Sequence, residues 1–155
     1  AQARGSFIGW NRNLTTPQMA RGVLEGMGIN LLGAARGLRE KIGEPEALRV
    51  TGGFVRSDFV RQLIADIFNL PVVVIKNDQS GTLAAMFLAQ LSLNEEDSLD
   101  KIVKEIDNSK VYFPNPKNVQ VYHDIIPIYR EVAHDLDQSY DKIAQFQKKY
   151  PKLFE

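Results

Sequence analysis

Among the 155 residues, the stretch Thr51-Gly52-Gly53-Phe54-Val55-Arg56-Ser57 has the residue types and spacing that suit a ligand. Two adjacent glycines let the main chain turn sharply and admit a ligand close to its amides. Ser57 precedes the apolar-periodic run Phe59, Val60, Leu63, Ile64, Ile67 and Phe68, so a helix is expected to begin there. The free N–H groups and partial positive charge of that helix start suit a phosphate or the polar edge of a purine. Leu48-Arg49-Val50-Thr51 reads as the strand that feeds the turn, which puts the turn outside a strand's carboxyl end, where ligands collect in open α/β sheets. The stretch contains neither Gly-Lys-Ser/Thr nor Gly-x-Gly-x-x-Gly, so a P-loop and a dinucleotide fold are both unsupported. On the residues alone, the turn is either a ligand cradle or a structural corner.

Other chemistry-bearing residues are few. The sequence holds no cysteine, which excludes disulfides, thiolate catalysis and zinc–sulfur sites within it and fits a reducing cytoplasm. His123 and His134 fall on one helical face, about 16 Å apart by helical rise, too far to share a metal ion; no metal site is assigned. Arg21 and Glu25, one turn apart, are expected to pair at the surface or across a domain contact for roughly a few tenths of a kcal/mol. Asp58 reads as a favourable charge in a first helical turn. Nineteen basic residues balance nineteen acidic ones, which leaves no electrostatic footprint for nucleic acid or an anionic membrane. A composition of 44% apolar and 25% charged residues fits one globular domain with a real core. The longest apolar run, Leu83 to Ala89, is far short of the ~20 residues of a membrane helix. The N-terminus lacks an initiator Met and a signal-peptide core, and reads as a cut inside a longer protein.

The elements that must position the turn follow from periodicity. Thr15-Thr16-Pro17-Gln18 is a helix start with capping-box spacing. Ala20, Val23, Leu24, Met27, Leu31, Ala34, Leu38 and Ile42 continue it as one apolar face, and Gly43 and Pro45 stop it. Gly22, Gly26, Gly33 and Gly37 form a second stripe beside that face. Each interior glycine costs about 1 kcal/mol against alanine, so the stripe implies close approach of another backbone or a ligand lying along it. Val72-Val73-Val74-Ile75 is an apolar strand of the kind covered on both faces, and residues 81–91 form a helix expected to be buried. Strand, helix, strand and helix in this order predict a β-α-β-α core with a parallel strand pair. Leu99 to Ile106 reads as a short surface helix ahead of Val111-Tyr112-Phe113, and Pro114 to Asn118 as a loop. Tyr122, Ile126, Tyr129, Ala133, Leu136, Tyr140 and Ile143 mark one seam of a long helix bent at Pro127, either clasping its own domain or forming an intermolecular coiled coil.

Arg4-Gly5-Ser6-Phe7-Ile8-Gly9, Met19 to Gly26, Thr51 to Ser57, Gln62, Ala65-Asp66 and Pro71-Val72 together resemble the FGGY carbohydrate kinases in order and spacing. Gly81-Thr82-Leu83-Ala84-Ala85 is similar to that family's Ala-Leu-Gly-Ala-Ala signature, departing from it where Leu83 stands for glycine. The resemblance covers Arg4 to Leu91; beyond, it extends only to the tyrosine-bearing helix.

This resemblance implies an α/β fold, part of an actin-like ATPase (ribonuclease H-like) C-terminal domain, with long C-terminal helices after the β-α-β-α core. Residues 1–93 would be the nucleotide-binding part and 94–155 a helical extension. ATP and Mg2+ are implied as cofactors, with Gly52, Gly53 and Ser57 bordering adenine and ribose, and Phe54 and Val55 lining the same pocket. The family's catalytic aspartate lies upstream of this sequence, so no catalytic residue is assigned. Asp66 is read as structural, and Asp78 is given no chemistry. The implied activity is transfer of the ATP γ-phosphoryl group to a sugar or sugar acid, gluconate or xylulose foremost. The implied partners are the N-terminal remainder of the same polypeptide and, through the helical seam, a homodimer. A non-catalytic nucleotide- or sugar-sensing protein of the same fold and a structural helical interaction domain are the alternatives.

Overall fold

The computed structural model describes residues 5–75, 85, 88, 89, 92 and 108–151. The surface helix expected from Leu99 to Ile106, most of the helix expected over 81–91, and Asp78 lie outside the described residues. Of the latter helix, Ala85, Leu88 and Ala89 are helical but exposed rather than buried.

Helix α1 spans Thr16–Ile42. Gln18 Oε1 accepts the Thr15 N–H at 2.8 Å and the Thr15 hydroxyl at 2.9 Å, the backward arm of the expected capping box. The helix stops where Gly43 turns to a φ of 84° and donates its N–H to the Arg39 carbonyl. Strand β1 (Leu48–Val50) then leads through a short 3₁₀ turn (Gly53–Arg56) into α2 (Asp58–Phe68), which ends at Asn69 in the left-handed region. Strand β2 (Val72–Ile75) pairs parallel to β1, Leu48 opposite Val72 and Val50 opposite Val74, as the strand–helix–strand order predicts. A third strand, β3 (Asn108–Tyr112), adds antiparallel to β2 with Tyr112 opposite Val72, giving the order β1-β2-β3.

The core has two compartments on either side of α2. Toward the sheet, Ile64 and Ala65 meet Val72, Val74 and Tyr112. Toward the other helices, Leu63 and Ile67 meet Ile29 of α1 and, from α3 (Pro116–Asp135), Tyr122 and Ile126. Buried Asp66 stands between them at 3% exposure and is a structural acceptor, as expected. Its Oδ1 accepts from Gln62 Nε2 and the Asn115 N–H, both at 2.8 Å, and its Oδ2 from Asn118 Nδ2 at 2.7 Å. Gln62 Nε2 also donates to the Phe113 carbonyl, so α2 holds the whole crossing from β3 into α3.

Two expectations for α1 are corrected here. The apolar face of α1 expected to lie inward points out: Val23, Met27, Leu31 and Leu38 are 42–57% exposed. Of the expected face Leu24 does pack inward, and the contact continues through Gly28, Ile29 and Leu32. The reason is Gly28, where an added Cβ would lie 2.6 Å from Ile67 Cδ1, so the missing side chain lets α2 approach on that side. The glycine stripe makes no such approach among the described residues; a Cβ at Gly22, Gly33 or Gly37 meets nothing within 4 Å, and one at Gly26 meets only the Tyr129 hydroxyl at 3.9 Å.

Residues 116–118 are helical rather than loop, because Asn115 caps the Lys117 N–H at 3.0 Å and Pro116 opens the first turn with its preset φ. The single long C-terminal helix expected is divided at Leu136, with Pro127 carried inside α3; α4 (Asp137–Lys149) follows. Across the break the inward position passes from Ile143 to buried Ala144. Tyr122 and Ile126 are buried within the chain, so the seam clasps its own fold, and among the described residues those two positions are not available to an intermolecular coiled coil.

Two outcomes follow, both measurable by chemical denaturation. Gly33→Ala and Gly37→Ala should each stabilise this chain by about 1 kcal/mol, whereas Gly28→Val should destabilise it by about 1–3 kcal/mol through overpacking against Ile67. Asp66→Ala, which removes the shared acceptor of three part-buried donors, should cost about 1–3 kcal/mol.

Candidate functional site

The sequence places the double-glycine turn at the carboxyl end of β1, and the structure puts it there. Gly52 adopts φ 79° and ψ −155°, a region open in practice only to glycine. It turns the chain out of β1 into the 3₁₀ turn that carries Gly53, Phe54, Val55 and Arg56. Gly53 has no such backbone demand, and a Cβ built on it meets nothing within 4 Å, so the space beside it is open. Ser57 is extended at φ −113°, ψ 124° and occupies the N-cap position of α2, but its hydroxyl makes no capping hydrogen bond. The first amides of α2 have no acceptor within the helix, and the Ser57 side chain does not engage them. The four sequence-assigned residues Gly52, Gly53, Phe54 and Ser57 therefore share one short backbone segment at the junction of β1 and α2.

Asp58 does more than complement the helix dipole, which corrects the sequence reading. Its Oδ1 accepts from Arg61 Nη1 at 2.8 Å, from Lys110 Nζ at 3.2 Å and from the Tyr112 hydroxyl. Arg61 Nη1 also donates to the Tyr112 oxygen at 2.9 Å. Lys110 lies 4.9 Å and Arg61 5.6 Å from the centre of the Tyr112 ring. The Tyr112 hydrogen bond, and then that from Lys110, hold the Asp58 carboxyl below its ordinary range. The same partners raise Lys110, Tyr112 first. Sequence reasoning missed this cluster; its one local signal was Lys110 and Tyr112 two apart on a strand, on one face.

A second network holds the other side of the α2 start. Arg21 Nε pairs with Glu25 Oε1 at 2.8 Å, and the buried Tyr122 hydroxyl donates to the same oxygen at 2.8 Å. Arg21 Nη2 reaches the Tyr122 oxygen at 3.5 Å, and its guanidinium lies 5.8 Å from the Phe59 ring centre. The Arg21–Glu25 pair thus joins α1 to α3 within this chain. Burial, and then the bond to Glu25, push the Tyr122 phenol up to about 12.

Among the described residues no group of three or more histidines and carboxylates stands close enough to hold a metal ion. His123 and His134 are exposed, His123 Nδ1 lying 3.4 Å from Asp124 Oδ1. A separate open concavity of about 420 Å³ is lined by Leu32, Arg36, Arg39, Glu40, Glu44 and Arg130, charges of both signs, away from the glycine turn. No helix among the described residues is long and apolar enough to cross a membrane.

The geometry has counterparts in known proteins. The sequence model of the FGGY family of carbohydrate kinases, C-terminal domain, matches residues 1–93. A gluconokinase of Bacillus licheniformis is 32% identical over 145 residues, covering 93% of this chain and 28% of the relative. A ligand-bound xylulose kinase and a gluconate kinase, both of Lactobacillus acidophilus, are each 49% identical in their solved structures. They superpose with TM-scores of 0.84 and 0.83 over 92% of this chain and 29% of theirs. The chain spans about 28% of the length of the curated relatives it matches. Its mixed helix-and-sheet architecture is that of an actin-like ATPase-type C-terminal domain, as the sequence resemblance implied.

The raised Tyr122 value sets a pH dependence. Because the folded value lies above the ordinary 10, the stability Tyr122 contributes is fully present below pH 10 and is lost as pH rises toward 12. Unfolding free energies measured from pH 9 to 12 should fall along that limb in the native chain. Tyr122→Phe should flatten the limb and lower stability at neutral pH by about 1–2 kcal/mol.

Proposed function

The chain belongs to the FGGY family of carbohydrate kinases, as part of the C-terminal domain, and on that premise we propose that it forms the adenosine side of the ATP pocket in an ATP-dependent sugar kinase. The whole enzyme would transfer the γ-phosphoryl group of ATP to a hydroxyl of a sugar or sugar acid, gluconate or xylulose foremost. The observation that carries this reading is the turn itself: a glycine-only bend at Gly52, open space at Gly53, and a helix start whose serine leaves its amides uncapped. Two solved neighbours, equally identical to this chain, are named for different acceptors, xylulose and gluconate. A segment common to both fits the reactant that such kinases share, the phosphoryl donor.

Each residue has a stated role. Gly52 and Gly53 let adenosine approach the backbone, Ser57 offers its hydroxyl to the ribose, and Phe54 with Val55 lines the base. The first amides of α2 add partial positive charge on the donor side. ATP supplies the phosphoryl group, and catalysis rests on alignment and charge stabilisation within a closed cleft. Mg2+ would neutralise the phosphates, and we assign it no ligand in this chain. The base that takes the acceptor's proton is assigned to the part of a longer polypeptide that this chain does not span, which is its principal partner. We read residues 1–93 as the nucleotide-binding part, a reading supported by the family match over those residues, and 94–155 as a mostly helical extension that also lends the strand Asn108–Tyr112 to the sheet. We place the enzyme in the cytoplasm, where a cysteine-free chain and ATP are both at home.

The test uses the full-length protein, following ADP release with Mg-ATP against gluconate, xylulose, ribulose, glycerol and related polyols. One acceptor should stimulate strongly. Gly53→Val, which perturbs no described contact, should raise the KM for ATP about tenfold. The isolated 155-residue chain should show no turnover; turnover by it would overturn the placement of the base.

A further inference from the structure

The nucleotide turn is held at one end by β1 and at the other by the first turn of α2, and apolar packing is weaker at the latter. The buried residues of α2 are Leu63 to Ile67, in its second half, whereas in the first turn Phe59 is exposed and only half-buried Val60 packs on the core. Polar contacts add to that packing at the helix start. Three donors from two elements, Arg61 Nη1, Lys110 Nζ and the Tyr112 hydroxyl, converge on the single oxygen Oδ1 of Asp58. Tyr112 is buried and pairs with Val72 on the central strand, so the convergence ties residue 58 to the sheet.

We propose that Asp58, Arg61, Lys110 and Tyr112 are a clamp that fixes the start of α2, making Lys110 and Tyr112 positioning residues for the nucleotide turn. The proposal rests on the reading of Gly52 to Ser57 as the adenosine site. Two further observations support it. Arg61 Nε is buried without a hydrogen-bond partner among the described residues, while Arg61 Nη1 is aimed at both Asp58 and Tyr112. A group arranged for stability alone would satisfy that nitrogen; this one is arranged around the carboxylate. The charges also matter. A lone carboxylate at the N-terminus of α2 would repel a nucleotide's phosphates, and two cations on one anion reverse that sign beside the helix's positive end. The clamp therefore both fixes the turn and makes its surroundings compatible with an anionic donor.

The experiment compares Tyr112→Phe, which keeps the buried ring, and the exposed-site variant Lys110→Met in the full-length protein. Hydrogen exchange is read in peptides covering 53–61 and 72–75, with steady-state kinetics in ATP alongside. The clamp predicts exchange about tenfold faster at 53–61 with 72–75 unchanged. It also predicts a KM for ATP raised roughly three- to tenfold with kcat unchanged, and restoration of both readouts by Lys110→Arg. Unchanged exchange at 53–61, or equal acceleration in both peptides, overturns the clamp. If Gly53→Val raises the KM for ATP while both clamp variants leave it unmoved, the clamp is overturned as a positioning device. If exchange responds as expected but neither the clamp variants nor Gly53→Val affects ATP, the clamp stands and the adenosine reading of the turn fails.

Discussion

The fold depends on the burial of α2 between two unlike neighbours. Ile64 and Ala65 face the sheet, while Leu63 and Ile67 face α1 and α3, so one helix joins both compartments of the core. Each of the three larger side chains, Leu63, Ile64 and Ile67, contributes about 1.5–3 kcal/mol when fully withdrawn from water. This packing sets the axis of α2, and the axis sets where the turn preceding it lies. Gly28 is part of the same constraint. Without its bare backbone, Ile67 could not seat against α1, and the helix that carries the turn would ride outward.

Polar groups refine what apolar burial establishes, and their burial decides how. Asp66 is withdrawn from water and engaged by Gln62, Asn115 and Asn118, so its loss removes the one acceptor that gathers these part-buried donors. Tyr122 likewise binds Glu25 from within the core. Asp58 is mostly solvent-exposed, and exposed ion pairs contribute little to stability. Its converging partners are better understood through geometry. Three donors on one oxygen restrict where the helix start sits even when they change the folding free energy little.

The sequence made local features legible and non-local ones opaque. The period of α2, the apolar run of β2 and the Gly52-Gly53 bend are each specified by neighbours within a few residues, and each is found where expected. The assigned turn residues could be placed on a shared segment for the same reason. By contrast, α1 carries apolar residues on two sides, so periodicity selected the Val23–Met27–Leu31 side when Gly28 had made the other side the contact. Four glycines in register drew attention from the one glycine that packs. The break at Leu136 has no proline or glycine to announce it. The Asp58 cluster joins residues 58 and 61 to 110 and 112, a pairing that only the antiparallel addition of β3 creates.

A ligand turn anchored in this way has a particular mechanical character. The strand end at Val50 is fixed by pairing with Val74, and Gly52 then permits one bend that other residues resist. Beyond it, the 3₁₀ turn is short, and its far end is set by polar contacts to β3 as well as by the half-buried Val60. Apolar packing tolerates small slips, because dispersion changes gradually with distance, whereas a hydrogen bond weakens steeply once its angle closes. Fixing the helix start through directional bonds thus trades some stability for definition at the residues that would meet a ligand. The core gives the segment its fold, and the edge of the sheet gives the turn its register.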